Sequence, residues 1–466
     1  MRRTTAWLLL APAFAALCAC DAAQDGTEAD FALRPLIREH GLRGDPAAGR
    51  DLPKIEEPIA QLGLELFFSK SLGGDRDAAC ATCHHPALGG GDALPLSIGV
   101  GADEPDLLGP GRTHPDGDLT VPRNAQSTFN IALYSQGLFW DSRVATLEDG
   151  GIRTPDSDFD VADGDAGKSL SEAQSRFPVT SEAEMRGFEL AFGGDNADVR
   201  TALEHRLTDD GRWGAAFEAA FGSSEITYGR IAEAIGAYED SQVFTDTPWR
   251  AYVEGDNTAI GEAAKRGALL FFRSVEDGGF DCARCHAGDF FTDESFHAIA
   301  APQIGRGKGD GLTGANDHGR ARETADRNER FSFRTPTLLN VAATGPYFHS
   351  GAYEELADVV RHHLDPNEAL GRFDPASVPM ADVRAFDRNT QEIIDFLEVS
   401  GLGIDFFRNP IDYTELELGE LVEFLETLTD PCVVERACLA PWVADPVLHD
   451  VDGHLLVAID GNGELL

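Results

Sequence analysis

Two five-residue stretches constrain this chain more than anything else in it: Cys80-Ala81-Thr82-Cys83-His84 and Cys282-Ala283-Arg284-Cys285-His286. In each, two thiols stand one helical turn apart and a histidine follows at once. That is the attachment sequence for c-type haem, in which the thiols add to the two porphyrin vinyl groups and the histidine falls under the iron as proximal ligand. A zinc ribbon would set its cysteine pairs ~15–20 residues apart and would not need a histidine after both. Here about two hundred residues separate them. The first haem is therefore assigned to Cys80, Cys83 and His84, and the second to Cys282, Cys285 and His286. A haem with both axial positions filled passes electrons, whereas one with an open position binds a small oxidant.

The motifs sit in an internal repeat. QLGLELFFSKSLGGDRDAACATCHH (61–85) and KRGALLFFRSVEDGGFDCARCHA (265–287) share a glycine, two phenylalanines four and five residues on, a Gly/Asp-rich loop and the cysteine pair. Their periodicity predicts a helix closing at Phe67-Phe68 and another at Phe271-Phe272. A partner helix is expected for each, over 228–240 and 418–428; the second carries Leu418, Leu421, Val422, Leu425 and Leu428 on one face. The fold class read from this is all-α: two cytochrome c-like helical domains, each with one covalently bound c-type haem, with long loops at 101–123, 150–181 and 301–329. The expected divisions are a signal peptide over 1–20, domains over 21–250 and 251–430, and a loosely structured tail over 431–466.

Arg2 and Arg3 precede an apolar run from Ala6 to Leu17, too short to span a membrane and suited to a signal peptide. Leu17-Cys18-Ala19-Cys20 resembles a lipoprotein processing site that would leave a lipid anchor on Cys20; plain secretion with cleavage near Ala19–Ala23 is the alternative. Either route implies a periplasmic protein, membrane-anchored in the first case. In that oxidising compartment Cys432 and Cys438 are expected to form a disulfide. Thirty-eight basic against eighty acidic side chains give a net charge of -42. Such a surface repels nucleic acid and would attract small cationic redox proteins, although charge alone favours the plainer reading that the acidity serves solubility.

A sixth ligand for the second haem is sought on YEELADVVRHHLD (353–365). Leu356, Val359, Val360, His363 and Leu364 recur at helical spacing, so His363 shares the apolar face and His362 points elsewhere. A core histidine bonded to backbone is the competing reading, and Met380 is the fallback ligand.

Taken in order, CATCHH…GGGDALPLSIG, RNAQSTFN, LFWDSR, PVTSEAEMRGF, CARCH and FRTPTLLNVAATGPYFHSGAYEEL resemble the bacterial diheme cytochrome c peroxidases and their MauG-like relatives. The resemblance implies two haems flanking a tryptophan, Trp140, able to carry an electron hole. It implies a carboxylate near the open face of the first haem, Glu184, with Glu182 as near competitor. A calcium ion held through Asn124, Thr344 and Pro346 is also implied. The implied activity is reduction of hydrogen peroxide at the first haem, with electrons relayed through the second from a small cytochrome c or cupredoxin. A MauG-like enzyme oxidising side chains of a partner protein is the alternative, and a non-enzymatic two-haem carrier the third reading. Three departures from the family pattern stand out. Val100 occupies the place where many members carry a histidine that caps the first haem, so that haem is expected to be open, unless His114 swings in. His363 replaces a methionine or tyrosine. Gly150 falls where a distal glutamine is often found.

Overall fold

A computed structural model describes residues 26–117, 120–187, 195–379 and 382–466. The expected signal peptide, Cys20 and Met380 lie outside these residues. The helix Pro58–Phe68 starts on a proline, whose missing N–H costs nothing in a first turn. It buries Leu62, Leu64, Leu66, Phe67 and Phe68 against the helix Tyr228–Asp240. The same arrangement returns in the second half, where Glu262–Phe272 packs on Glu415–Glu426.

The repeated glycine explains how close these pairs come. A Cβ on Gly63 would lie 2.0 Å from the carbonyl oxygen of Ala234, and one on Gly267 would lie 1.9 Å from that of Glu420. Next in line are Tyr238 and Phe424, each four residues beyond the carbonyl that the glycine meets. Both crossings are thus backbone against backbone, which only glycine permits.

Two buried cores result, and the chain threads between them in a way the linear division misses. The helix Glu28–Glu39, opened by a Thr27–Asp30 capping box, was expected within the first domain. Its Leu33 and Ile37 instead enter the second core with Trp249 and Tyr252. Asp30 fixes it there, accepting from the Tyr252 hydroxyl at 2.8 Å and pairing with Lys265 at 3.0 Å. An amphipathic stripe with one buried charge needs an apolar groove and a counter-charge, and nearness in sequence supplies neither.

The tail departs from expectation in a similar way. Its Leu455, Leu456 and Ala458 join the first core, and Asp452 accepts from Ser69 Oγ at 2.9 Å and from Trp213 Nε1 at 3.2 Å. The Cys432–Cys438 disulfide is formed at its start.

The described residues are helix-rich but not purely helical. Gly137–Leu138, Val144–Thr146 and Ile152–Arg153 form a small antiparallel sheet, and Phe296–His297 pairs with Phe333–Arg334. Strands this short carry no readable alternation of polar and apolar residues. No helix among the described residues is long and apolar enough to cross a membrane.

Candidate haem sites

Each cysteine motif forms a short turn, Cys80–Thr82 and Cys282–Arg284, with both of its cysteines on the cavity wall. The four thiols are unpaired and line one cavity of about 460 Å³ together with His84 and His286. Burial pushes the Cys83 and Cys282 thiols up to about 12 and holds His286 down at about 4; His84 is lowered by the same cause. Both histidines are therefore neutral, the form that binds iron. His84 Nδ1 donates to the Gly90 carbonyl at 3.2 Å and His286 Nδ1 to that of Phe291 at 3.1 Å, which leaves each Nε2 bare. A largely apolar cavity with two bare imidazoles and two thiol pairs fits a pair of covalently held haems.

The far sides differ. His363 Nδ1 donates to the Val359 carbonyl at 2.8 Å, and its ring centre stands 6.4 Å from that of His286. Two metal–nitrogen bonds of about 2 Å each, plus the half-widths of two imidazoles, add up to roughly this span. His362 turns away, bonded to the Ile299 carbonyl at 2.8 Å and the Tyr353 hydroxyl at 3.1 Å.

Among the described residues no imidazole stands at such a distance from His84. Val100 is buried in the first core, its N–H 3.4 Å from the Ala183 carbonyl. His114 lies beside Gly101, accepting from the Asp116 N–H, and is not part of the cavity wall.

That wall does contain Glu184. It sits on a five-residue π-turn, Glu182–Arg186, pressed against Gly99, whose Cβ would lie 2.3 Å from the carbonyl oxygens of both Ala183 and Glu184. Burial pushes the Glu184 carboxyl up, opposed by the positive charges of Arg143, Lys308 and Arg306. Glu182 is exposed, paired with Arg186, and outside the cavity. The geometry thus separates the two candidates.

Gly150 is also outside, in an open turn with φ of +84°. The wall instead presents Gln174, the last residue of the short helix Leu170–Gln174. An amide donor missing from the sequence reading is therefore present. Gln174 lies within the 150–181 insertion, where no local pattern marks it.

Trp140 lines the same cavity and is held from both halves of the chain. Its Nε1 donates to the Asn124 carbonyl at 3.0 Å, and its own carbonyl accepts from the Arg334 N–H at 2.9 Å. Beside it the buried Arg123 guanidinium bridges Asp141 and Asp317, whose carboxyls it holds below the usual range. Asn124, Thr344 and Pro346 share the wall. The Asn124 amide nitrogen donates to the carbonyls of Leu94 and Pro95, which turns its oxygen the other way, as a calcium ligand requires.

Fold and site together set two Cys-x-x-Cys-His turns on one cavity, with an imidazole facing His286 and, among the described residues, none facing His84. Residues 57–258 match the family model for di-haem cytochrome c peroxidase. The methylamine utilization protein MauG of Methylorubrum extorquens is 28% identical over 384 residues, covering 82% of this chain and 88% of the relative. The cytochrome c551 peroxidase of Pseudomonas aeruginosa is 28% identical over 362 residues, covering 76% and 83%. In fold, the chain is similar to the crystal structure of a MauG-like protein associated with microbial copper homeostasis (TM-score 0.57, 24% identity, 86% and 98% covered). It is likewise similar to the diheme peroxidase BthA from Burkholderia thailandensis (TM-score 0.56, 23% identity, 84% and 90% covered). The chain is thus similar, over 57–258 by family model and over most of its length by relatives, to the di-haem cytochrome c peroxidases and MauG-like proteins.

Proposed function

We propose that this protein is a periplasmic peroxidase that reduces hydrogen peroxide at the first haem site, with electrons entering through the second from a small cationic redox protein. The observation that carries the reading is asymmetry: His286 faces His363 at an axial-ligand span, while among the described residues His84 faces no such partner and shares its cavity with Glu184. Cys80, Cys83 and His84 would hold one haem; Cys282, Cys285, His286 and His363 the other. When bound, the haems supply an iron that takes peroxide and a second that stores and passes electrons.

The remaining work falls to the chain. Glu184 takes the proton from the inner peroxide oxygen and returns it to the outer one, which leaves as water. Its raised proton affinity suits that exchange. Gln174 offers an amide N–H to orient the oxidant. Val100 keeps the position clear, since a buried valine offers iron no ligand. Trp140, tied to both halves, is the hole carrier between the sites. Calcium bound through Asn124, Thr344 and Pro346 would brace the Trp140 segment, because Asn124 also accepts from the indole.

One observation favours the MauG-like reading, in which side chains of a partner protein are oxidised. Histidine at 363 lacks the thioether preference for ferrous iron, so the second haem is a weaker acceptor from a soluble cytochrome.

EPR of the oxidised holoprotein tests the asymmetry directly: one high-spin and one low-spin ferric haem are expected, and two low-spin signals would overturn the peroxidase reading. Rapid cytochrome oxidation on adding peroxide supports the first donor. A peroxide-dependent near-infrared band without cytochrome turnover supports the second.

A further inference from the structure

Lys308 belongs to the 301–329 segment in the second half of the chain, yet its side chain lines the cavity beside Glu184. Its backbone is pinned on both sides of the Cα. The N–H donates to Asn316 O at 2.9 Å, and the carbonyl accepts from Arg322 Nη1 at 2.9 Å. Next to it, Gly307 is packed so tightly that a Cβ would lie 2.4 Å from the Ala315 carbonyl oxygen. The side chain therefore projects from a fixed base.

The charges around it do not cancel. Arg123, Arg143 and Lys308 are the cations, Asp141 and Asp317 the anions. Arg123 engages both aspartates, and Arg143 reaches Asp141 only at 3.4 Å while lying over the Phe139 ring. Among the described residues the Lys308 ammonium has neither a hydrogen bond nor an ion pair. Three positive groups facing two negative ones leave one positive charge unmatched, inside a cavity where charge is poorly screened. The carboxylate that faces this surplus is Glu184.

We propose that Lys308 is the positioning residue of the peroxide site: an ammonium delivered by the second half of the chain to the first haem pocket, whose unmatched charge keeps Glu184 ionised between proton transfers. The inference rests on the peroxidase reading and deepens it by naming what regulates the proton carrier. A carboxylate in an apolar pocket drifts toward its neutral form, and a neutral Glu184 cannot accept the peroxide proton. Once Glu184 has taken the proton, the same surplus charge favours releasing it to the departing oxygen.

Other charged groups facing Glu184 are accounted for. Arg143 and Arg306 also favour its ionised form, with Arg306 exposed to solvent. The Cys83 thiol nearby becomes an uncharged thioether once haem is attached. On the same turn, Glu182 and Arg186 neutralise one another at the surface. Burial and the nearby arginines bring Lys308 itself down to about 8, so it stays charged below that pH.

The test is the pH dependence of the second-order reaction of peroxide with the oxidised holoprotein, followed at the Soret band by stopped flow. The rate needs ionised Glu184, so it rises with pH through the Glu184 titration. Lys308→Met is expected to move that rise upward by about one pH unit or more. Below the rise this reads as a loss of roughly tenfold, with the rate recovered at higher pH. Lys308→Arg should keep the wild-type profile. Lys308→Gln serves in place of the methionine variant if pyridine haemochrome assay shows haem loss. An unmoved rise in Lys308→Met, or equal losses at every pH in the Met and Arg variants, would overturn the inference. Glu184→Gln separates the two levels: if it leaves the rate intact, the peroxidase reading of Glu184 fails, whatever Lys308 does.

Discussion

The glycine shared by both halves of the repeat makes a quantitative prediction. In Gly267→Ala the new methyl carbon would sit 1.9 Å from the Glu420 carbonyl oxygen, 2.5 Å from its carbon and 2.9 Å from Phe424 Cβ. Carbon and oxygen normally approach no closer than about 3.3 Å, so the helices Glu262–Phe272 and Glu415–Glu426 must separate by roughly 1.4 Å. The first two obstructing atoms are backbone, and no rotamer change can relieve them. Overpacking costs typically ~1–3 kcal/mol, and a backbone collision belongs at the upper end, about 3 kcal/mol. Alanine returns about 1 kcal/mol through its better helix propensity. The net loss is about 2 kcal/mol, roughly a thirtyfold fall in the folding equilibrium constant.

Gly419, on the partner helix, is the internal control: it has no atom within 4 Å of an added Cβ, so Gly419→Ala should stabilise by about 1 kcal/mol. Urea unfolding of the haem-loaded protein, followed by far-UV circular dichroism, reads both. Gly267→Ala should lower the midpoint and Gly419→Ala raise it. A Gly267→Ala midpoint at or above wild type would refute the argument, as would equal damage from both variants.

Other predictions follow from the sites. His363→Ala should convert the second haem to high spin, raising the high-spin share of the oxidised EPR signal from about half to nearly all; an unchanged spectrum would mean another residue caps that haem. Glu184→Gln should preserve haem content and resting spectra yet slow the peroxide reaction by roughly 10²–10⁴, as stopped-flow traces would show. Asp317 is held at about 2 by Arg123. Its folded value lies below its unfolded one, so protons bind the unfolded chain first; the stability it confers is full above about pH 4 and lost as pH falls toward 2. Acid-unfolding curves for Asp317→Asn should lack that component. Chelation of calcium from the holoprotein should alter the spectra of both haems if Asn124, Thr344 and Pro346 bind it; spectra indifferent to chelator would remove the ion from the site.

Much of the site could be read directly from residue order. The two cysteine motifs, the repeated Gly-x₃-Phe-Phe and His363 on an apolar helix face are local patterns, fixed by covalent reach and helical period. Each of these survives any uncertainty about how distant segments meet. The residues that the sequence misplaced or passed over are those separated from their partners by loops. Gln174 lies inside the 150–181 insertion, where no motif marks it, whereas Gly150, the position that resemblance pointed to, sits in an open turn away from the cavity. Lys308 sits in a Gly-rich stretch with no motif of its own, and only its arrival beside Glu184 gives it meaning. Glu184 could be favoured over Glu182 only by resemblance; the π-turn against Gly99 is what turns one carboxylate inward and leaves the other with Arg186.

The sequence alone thus determined two Cys-x-x-Cys-His turns and the helices that carry them, because those depend on neighbours within a turn or two. Tertiary structure decided which half each outlying segment serves: the 28–39 helix joins the second core and the 431–466 tail the first. It also decided that Lys308, from one half, lines the cavity beside Glu184 of the other. Burial and charge pairing act through space between residues hundreds of positions apart, and linear order holds no record of those distances.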